Sequence, residues 1–249
     1  WVDISTTGTE LFTEDGIDLN NANVQIDADQ FLSNGFFLFD EHYDHLNVNI
    51  NGVLILSDAD INNLAASNDP IPYDAPPNGL IAGFWTDLEL YDALEQAKIY
   101  YQHFSGGNPP ACAGATECVV IQWTLARERG TEENHRNTFQ IVLLDNNDIH
   151  FLYHTMESPS TIATIGLEGN EGVYGEQSYY KQDVTLSSHE LVYTYPEPAM
   201  RHKVRPVYQS KFLSRNGDQL ERIFTVNVTN NGDDATPQEI YQITVHPIH

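Results

Sequence analysis

The chain has 249 residues, with 36 Asp+Glu against 11 Lys+Arg and a formal net charge of −25. That charge repels nucleic acid and anionic lipid, and no apolar run approaches the roughly 20 residues needed to cross a bilayer, so neither nucleic-acid binding nor membrane insertion is expected. A hydrophobic content of 41% is enough for a substantial core, in one large domain or two small ones.

Such acidity is tolerated well in high salt or among divalent cations, which points to an extracellular or cell-surface setting; a role in solubility alone is the plainer reading. The chain begins at Trp1 with neither Met nor signal peptide, as expected of a processed product or an excised segment. The charge is uneven. Residues 1–200 hold 31 acids and 5 Lys+Arg (−26), whereas residues 201–249 hold 5 acids and 6 Lys+Arg (+1). The Pro196-Glu197-Pro198 break falls at the change in composition and predicts a boundary: a first domain over 1–196, a linker over 197–206 and a C-terminal extension over 207–249.

In chain order, DEHYDH (40–45) places His42 and His45 on either side of Tyr43-Asp44, close enough for a joint metal site only if the segment turns. LNVNINGVLIL (46–56) alternates apolar and polar residues around an Asn51-Gly52 turn. Next, Asp58, Asp60, Asn62 and Asp69 imitate the spacing of a twelve-residue calcium loop, with Asn63 where the sharp turn favours Gly and Asp69 where a bidentate Glu is usual. The simpler reading of Asp58 is an N-cap for a short helix over 58–66.

PNGLIAGFWTDLEL (77–90) is an apolar strand that delivers Trp85 just before Asp87, Glu89 and Asp92. The two-residue period of a strand puts Phe84 and Trp85 on opposite faces and Asp87 and Glu89 on the face of Trp85. A carboxylate pair there invites comparison with glycoside hydrolysis, but Asp87-x-Glu89-x-x-Asp92 lacks the leading Glu of laminarinase-type strands. The favoured reading is a core Trp followed by a solvated strand end. LYDALEQ (90–96) is a second short helical candidate.

Cys112 and Cys118 are the two cysteines, separated by five residues that include two Ala and one Gly, and their spacing predicts a disulfide suited to an oxidising compartment. Strand patterns follow in KIYYQHF, CVVIQWTLARE, TFQIVLLD, DIHFLYHT, TIATIGLE and HELVYTY, with Asp145-Asn146-Asn147-Asp148 as a tight reversal. In the tail, RIFTVNVT and IYQITVH predict a hairpin with open edges, in which Phe224, Val226, Val228, Ile240, Ile243 and Val245 are candidate assembly residues. The whole reads as all-β: a two-layer β-sandwich or jelly roll with one or two short helices and a C-terminal β-hairpin extension.

Three segments in order, HYDHLNVNINGVLILSD, PNGLIAGFWTDLEL and NTFQIVLLDNNDIHFLYH with TIATIGLEGNEG, resemble the nidogen-like extracellular domain, in the bacterial form found in secreted proteins and beside subtilisin-like proteases. The similarity covers roughly residues 31–195 and rests on Asn51-Gly52, on Ile81 to Trp85 with Asp87, and on Thr138-Phe139-Gln140. Gly83 stands where the family more often has Pro, a departure expected to loosen the strand.

The resemblance implies a noncatalytic extracellular sandwich for adhesion, surface binding or self-assembly into fibres, with a protein or glycan surface as partner and no catalytic residues to carry over. An accessory domain of a secreted hydrolase is the alternative, and a jelly-roll glycoside hydrolase a remote one.

Overall fold

Alternating side chains sort the strands into two antiparallel sheets in a computed structural model that describes residues 1–13, 21–39, 41–56, 64, 68–90, 97–130, 135–195, 202–205 and 227–230. The first sheet runs β1 (Thr9–Leu11), β9 (Lys98–Ser105), β10 (Glu117–Glu128), β11 (Arg136–Leu144), β12 (Ile149–Met156) and β15 (His189–Tyr193), with β8 (Leu88–Glu89) also on β10. The second runs β14 (Gly175–Tyr180), β13 (Thr164–Glu168), β7 (Leu80–Trp85), β6 (Val53–Ile55), β5 (Leu46–Asn49) and β2 (Asn23–Ile26). A hairpin of β3 (Phe36–Leu38) and β4 (Glu41–Tyr43) stands apart.

The inner faces meet in one core. Ile121, Trp123, Phe139, Ile141 and Phe151 come from the first sheet, and Val48, Leu54, Ile81, Phe84 and Ile165 from the second. Trp123 lies nearly parallel to Phe139, with ring centroids 4.9 Å apart, and its indole N–H donates to the Ile50 carbonyl at 3.1 Å. Burying the indole therefore leaves no polar atom unpaired. The expected two-layer all-β sandwich is what forms.

Glycine decides how closely the layers approach at one place. Gly52 has φ +79°, and a Cβ there would come within 2.3 Å of the Phe84 carbonyl oxygen, which no side chain tolerates. Gly83 faces the core, where a Cβ would meet Ile141 at 2.8 Å. Its N–H donates to the Gly52 carbonyl at 3.1 Å and its carbonyl accepts the Tyr153 hydroxyl at 2.6 Å. Rather than loosening β7, Gly83 lets the second sheet settle against Ile141 and Phe139.

Both outer faces are also covered. On the first sheet, Ile4 packs with Cys112, Cys118, Val120, Val142 and Leu144. Gln122 and Gln140 clasp the N-terminal segment there: Gln122 Oε1 accepts the Ile4 N–H at 3.1 Å, and Gln140 Nε2 donates to the Val2 carbonyl at 2.7 Å. On the second sheet, Val53, Ile55, Leu80, Ala82 and Trp85 are covered by Leu64 and Ile71.

The predicted reversal at Asp145 to Asp148 joins β11 to β12, with Asn147 at φ +67° and its N–H on the Leu144 carbonyl at 2.9 Å. The helical candidates at 58–66 and 90–96 lie almost wholly outside the described residues; the helical turns that are described are 3-10 turns at Pro110–Cys112 and Ser160–Ile162.

The chain divides into two units, Trp1–Tyr195 and Pro196–His249. In the second, β16 (His202–Arg205) pairs antiparallel with β17 (Asn227–Asn230), Val204 opposite Val228. Sequence pattern pairs 222–229 with 240–246, the second of which lies outside the described residues, and reads 197–206 as linker; β16, the partner of β17 in the structure, falls inside that stretch. Alternation marks a strand but carries no information about which distant strand it meets. Phe224, Val226, Ile240, Ile243 and Val245 lie outside the described residues.

Candidate functional site

Trp85 is buried, 4% exposed, in the outer cluster of the second sheet, and Phe84 lies on the opposite face in the main core. The two-residue period holds to that point and then fails. The chain leaves the second sheet after Trp85, and Leu88–Glu89 pairs with Glu128 and Arg127 of β10 in the first sheet. Asp87 and Glu89 thus do not share a strand face with Trp85. Glu89 Oε1 accepts from Arg127 Nε at 2.9 Å, and Asp87 Oδ1 from Arg129 Nε at 3.2 Å. These carboxylates, half-buried and not fully solvated, tie the crossover to β10 through charge-assisted bonds. Asp92 lies outside the described residues.

Two carboxylates absent from the sequence-level candidates hold loops at sheet ends. Glu117, at the start of β10, is 8% exposed, and its Oε1 accepts from the Ser33 N–H and hydroxyl, each at 2.9 Å, and meets His103 Nε2 at 2.6 Å. Burial pushes this carboxyl up, but the bonds from Ser33 and His103 outweigh it and hold the group below its ordinary value.

Glu168 ends β13. Alternation turns Ile165 and Leu167 into the core and Thr164 and Glu168 toward the segment 68–79, which crosses the outer face of the second sheet. Glu168 is 1% exposed, and its Oε2 accepts the Tyr73 N–H at 2.8 Å. In the amide orientation that satisfies hydrogen bonding, Asn78 donates to Glu168 Oε1 at 3.2 Å and to the carbonyls of Tyr73 and Ala75 at 3.1 and 3.2 Å. Burial pushes the Glu168 carboxyl up to about 7, against a smaller opposing effect of the Tyr73 N–H. The sequence carries no signal for either carboxylate, because each depends on a partner far along the chain: Ser33, 84 residues from Glu117, and Tyr73, 95 residues from Glu168.

Of the four calcium candidates, Asp58, Asp60 and Asn62 lie outside the described residues. Asp69 is fixed through its carbonyl, which accepts the Thr164 hydroxyl at 2.8 Å. His42 and His45 are turned to different partners, the Asn34 carbonyl at 2.9 Å and Asp44 at 2.7 Å. Among the described residues no group of three His, Cys, Asp or Glu is placed to hold a metal ion. Cys112 and Cys118 form the predicted disulfide, with Cα atoms 5.3 Å apart, closing a loop beneath Ile4.

The three segments on which the nidogen resemblance rests converge at one point. A Cβ on Gly52 would meet both Phe84 and Phe139, and Gly83 lies against Ile141 with Phe139 beside it. The shared pattern is a packing node between the sheets. These features define an antiparallel β-sandwich module, disulfide-closed and braced at its ends by buried carboxylates. The chain belongs to the NIDO-related family, whose family model matches residues 4–204. Membership suggests a nidogen-like extracellular module. No curated protein and no solved structure matches the chain. Among the described residues, no helix is long and apolar enough to cross a membrane.

Proposed function

We propose that this protein is a noncatalytic extracellular adhesion module that binds a protein or glycan surface, and that its C-terminal residues, Val228 among them, support self-association into fibres. The observation that carries the reading is the disposition of charge. Residues 1–195 hold 30 acids and 5 Lys+Arg, whereas 196–249 hold 6 of each. Of the five cations in the first unit, Lys98, Arg127 and Arg129 are tied to Glu10, Glu89 and Asp87. What remains is a strongly acidic exterior with little competing positive charge, suited to a partner surface rich in Lys and Arg.

The test is binding of the purified protein to a panel of matrix proteins and glycans between low and high salt. Capture of basic partners that weakens steeply as NaCl rises from roughly 0.05 to 0.5 M supports the reading; binding indifferent to salt contradicts it. Self-association is read by sedimentation, and Val228→Asp is expected to abolish it. Turnover in a glycan-hydrolysis screen that disappears in Glu89→Gln would overturn the noncatalytic reading.

Calcium held by Asp58, Asp60, Asn62 and Asp69 belongs to the proposal as a stabilising ion. Millimolar calcium is then expected to raise the melting temperature, and Asp58→Ala to remove the increase.

A further inference from the structure

The segment 68–79 lies on the second sheet as a strap, and its anchors are unusually well defined. Asn68 Nδ2 donates to Thr164 Oγ1 at 2.8 Å, which in turn donates to the Asp69 carbonyl at 2.8 Å. The Ile71 N–H donates to Gln177 Oε1 at 2.8 Å, and the Gly79 N–H to the Gly169 carbonyl at 3.2 Å. Between them, Ile71 covers Val53, Ile55, Leu80, Ala82 and Trp85. All of these anchors but one are neutral. The exception is Glu168, whose two oxygens both serve the strap, Oε2 at Tyr73 and Oε1 at Asn78.

Among the described residues no cation compensates that carboxyl. The ionisable groups on the elements packed around it are Asp69, Tyr73 and Asp74 on the strap, Glu171 and Tyr174 on the turn after β13, and Glu176, Tyr179 and Tyr180 on β14. The strand on its other side, β7, carries none. Lys181, which follows β14, lies past the opposite end of the β13–β14 ladder, where Thr164 and not Glu168 pairs with Tyr180. Every charge these elements bear at neutral pH is therefore of the same sign as ionised Glu168. Ionised, Glu168 has two hydrogen-bond donors but is cut off from solvent and, among the described residues, from any counter-charge, and it regains hydration only if the strap lifts; protonated, it keeps the Tyr73 N–H on Oε2 and offers its own hydroxyl at Oε1 to the Asn78 amide, which turns its oxygen to receive it.

We propose that Glu168 is a proton-operated latch: protonated, it holds the strap 68–79 closed over the Trp85 face of the second sheet, and ionisation favours the lifted strap. The latch is independent of the adhesion reading and stands or falls without it. Its consequence reaches the surface, because the strap presents Tyr73, 43% exposed, beside Val173, 51% exposed, on the neighbouring turn.

The direction follows from linkage. The carboxyl is raised from 4.5 to about 7 when the strap is closed, so closure is favoured fully below pH 4.5 and the advantage is lost as pH passes 7. The fraction of molecules with the strap lifted is expected to rise about 30-fold between pH 5.5 and 8.5.

The experiment is NMR on the full chain. The Glu168 carboxyl carbon is followed from pH 4 to 9, together with hydrogen exchange at the Tyr73 and Ile71 amides, corrected for the intrinsic dependence of exchange on hydroxide. The expected result is a Glu168 titration near neutrality, with protection at both amides falling about 30-fold between pH 5.5 and 8.5 and staying flat in Glu168→Gln. A carboxyl that titrates below pH 5 overturns the latch. So does a neutral titration with unchanged protection, or a Glu168→Gln protein whose strap still loosens with pH. Should that variant fail to fold, the wild-type titration and exchange data decide by themselves.

Discussion

Glu117 and Glu168 do the same mechanical task at the ends of different sheets, and they respond to protons in opposite directions. Glu117 pins Ser33 to the start of β10, and Glu168 pins Tyr73 to the end of β13. Both are buried, so both lose water. The difference lies in what replaces it: Glu117 has a backbone N–H, a hydroxyl and His103, whereas Glu168 has one backbone N–H and the Asn78 amide. A buried carboxyl is thus not acidic or basic by burial alone; the count and charge of its donors settle the sign.

The largest effect expected from breaking this comparison is at Glu117. Glu117→Ala leaves the Ser33 N–H, the Ser33 hydroxyl and His103 without their acceptor, and should lower stability by about 3 kcal/mol in urea unfolding at pH 7. Because the folded carboxyl is held below its ordinary value, its contribution is present above that value and lost as pH falls. The deficit of the variant relative to wild type should therefore shrink in acid.

Glu168 sharpens the contrast from the other side. Wild type should lose about 2 kcal/mol between pH 5.5 and 8.5 through this group, a loss absent from Glu168→Gln, as read by paired urea melts. A wild-type curve parallel to that of the variant would remove the distinction between the two carboxyls. Opening the disulfide whose loop contains Glu117 should cost about 2 kcal/mol, consistent with its short loop, and should do so equally at pH 5.5 and 8.5. The measurement is a thermal melt of Cys112→Ala/Cys118→Ala at both values. Smallest is Glu89→Gln, which weakens a half-buried pair with Arg127 and is expected to lower stability by about 1 kcal/mol.

Much of the sandwich was legible in the sequence because strand periodicity is local. The alternation in LNVNINGVLIL, the DNND reversal and the spacing of Cys112 and Cys118 each appear in the structure as read. The period also placed Phe84 and Trp85 on opposite faces. It failed two residues later, since nothing in TDLE announces that the chain changes sheets at Thr86-Asp87, and so Asp87 and Glu89 were assigned the wrong neighbours. In the tail it marked β17 but not the strand that pairs with it, β16. Gly83 was misread for a related reason: its small size matters only once Ile141, 58 residues away in the chain, is brought against it.

By itself, then, the sequence determined most of the strands of the two sheets, the disulfide and, through three short motifs, the family. Those features depend on residues close in the chain and on side-chain chemistry that acts wherever the fold places it. The tertiary structure alone decided which strands pair, which carboxylates are matched by arginine and which one is left buried with amide donors only. Each of these depends on how many donors and how much water remain around a group after distant segments close over it, a quantity that no local pattern encodes.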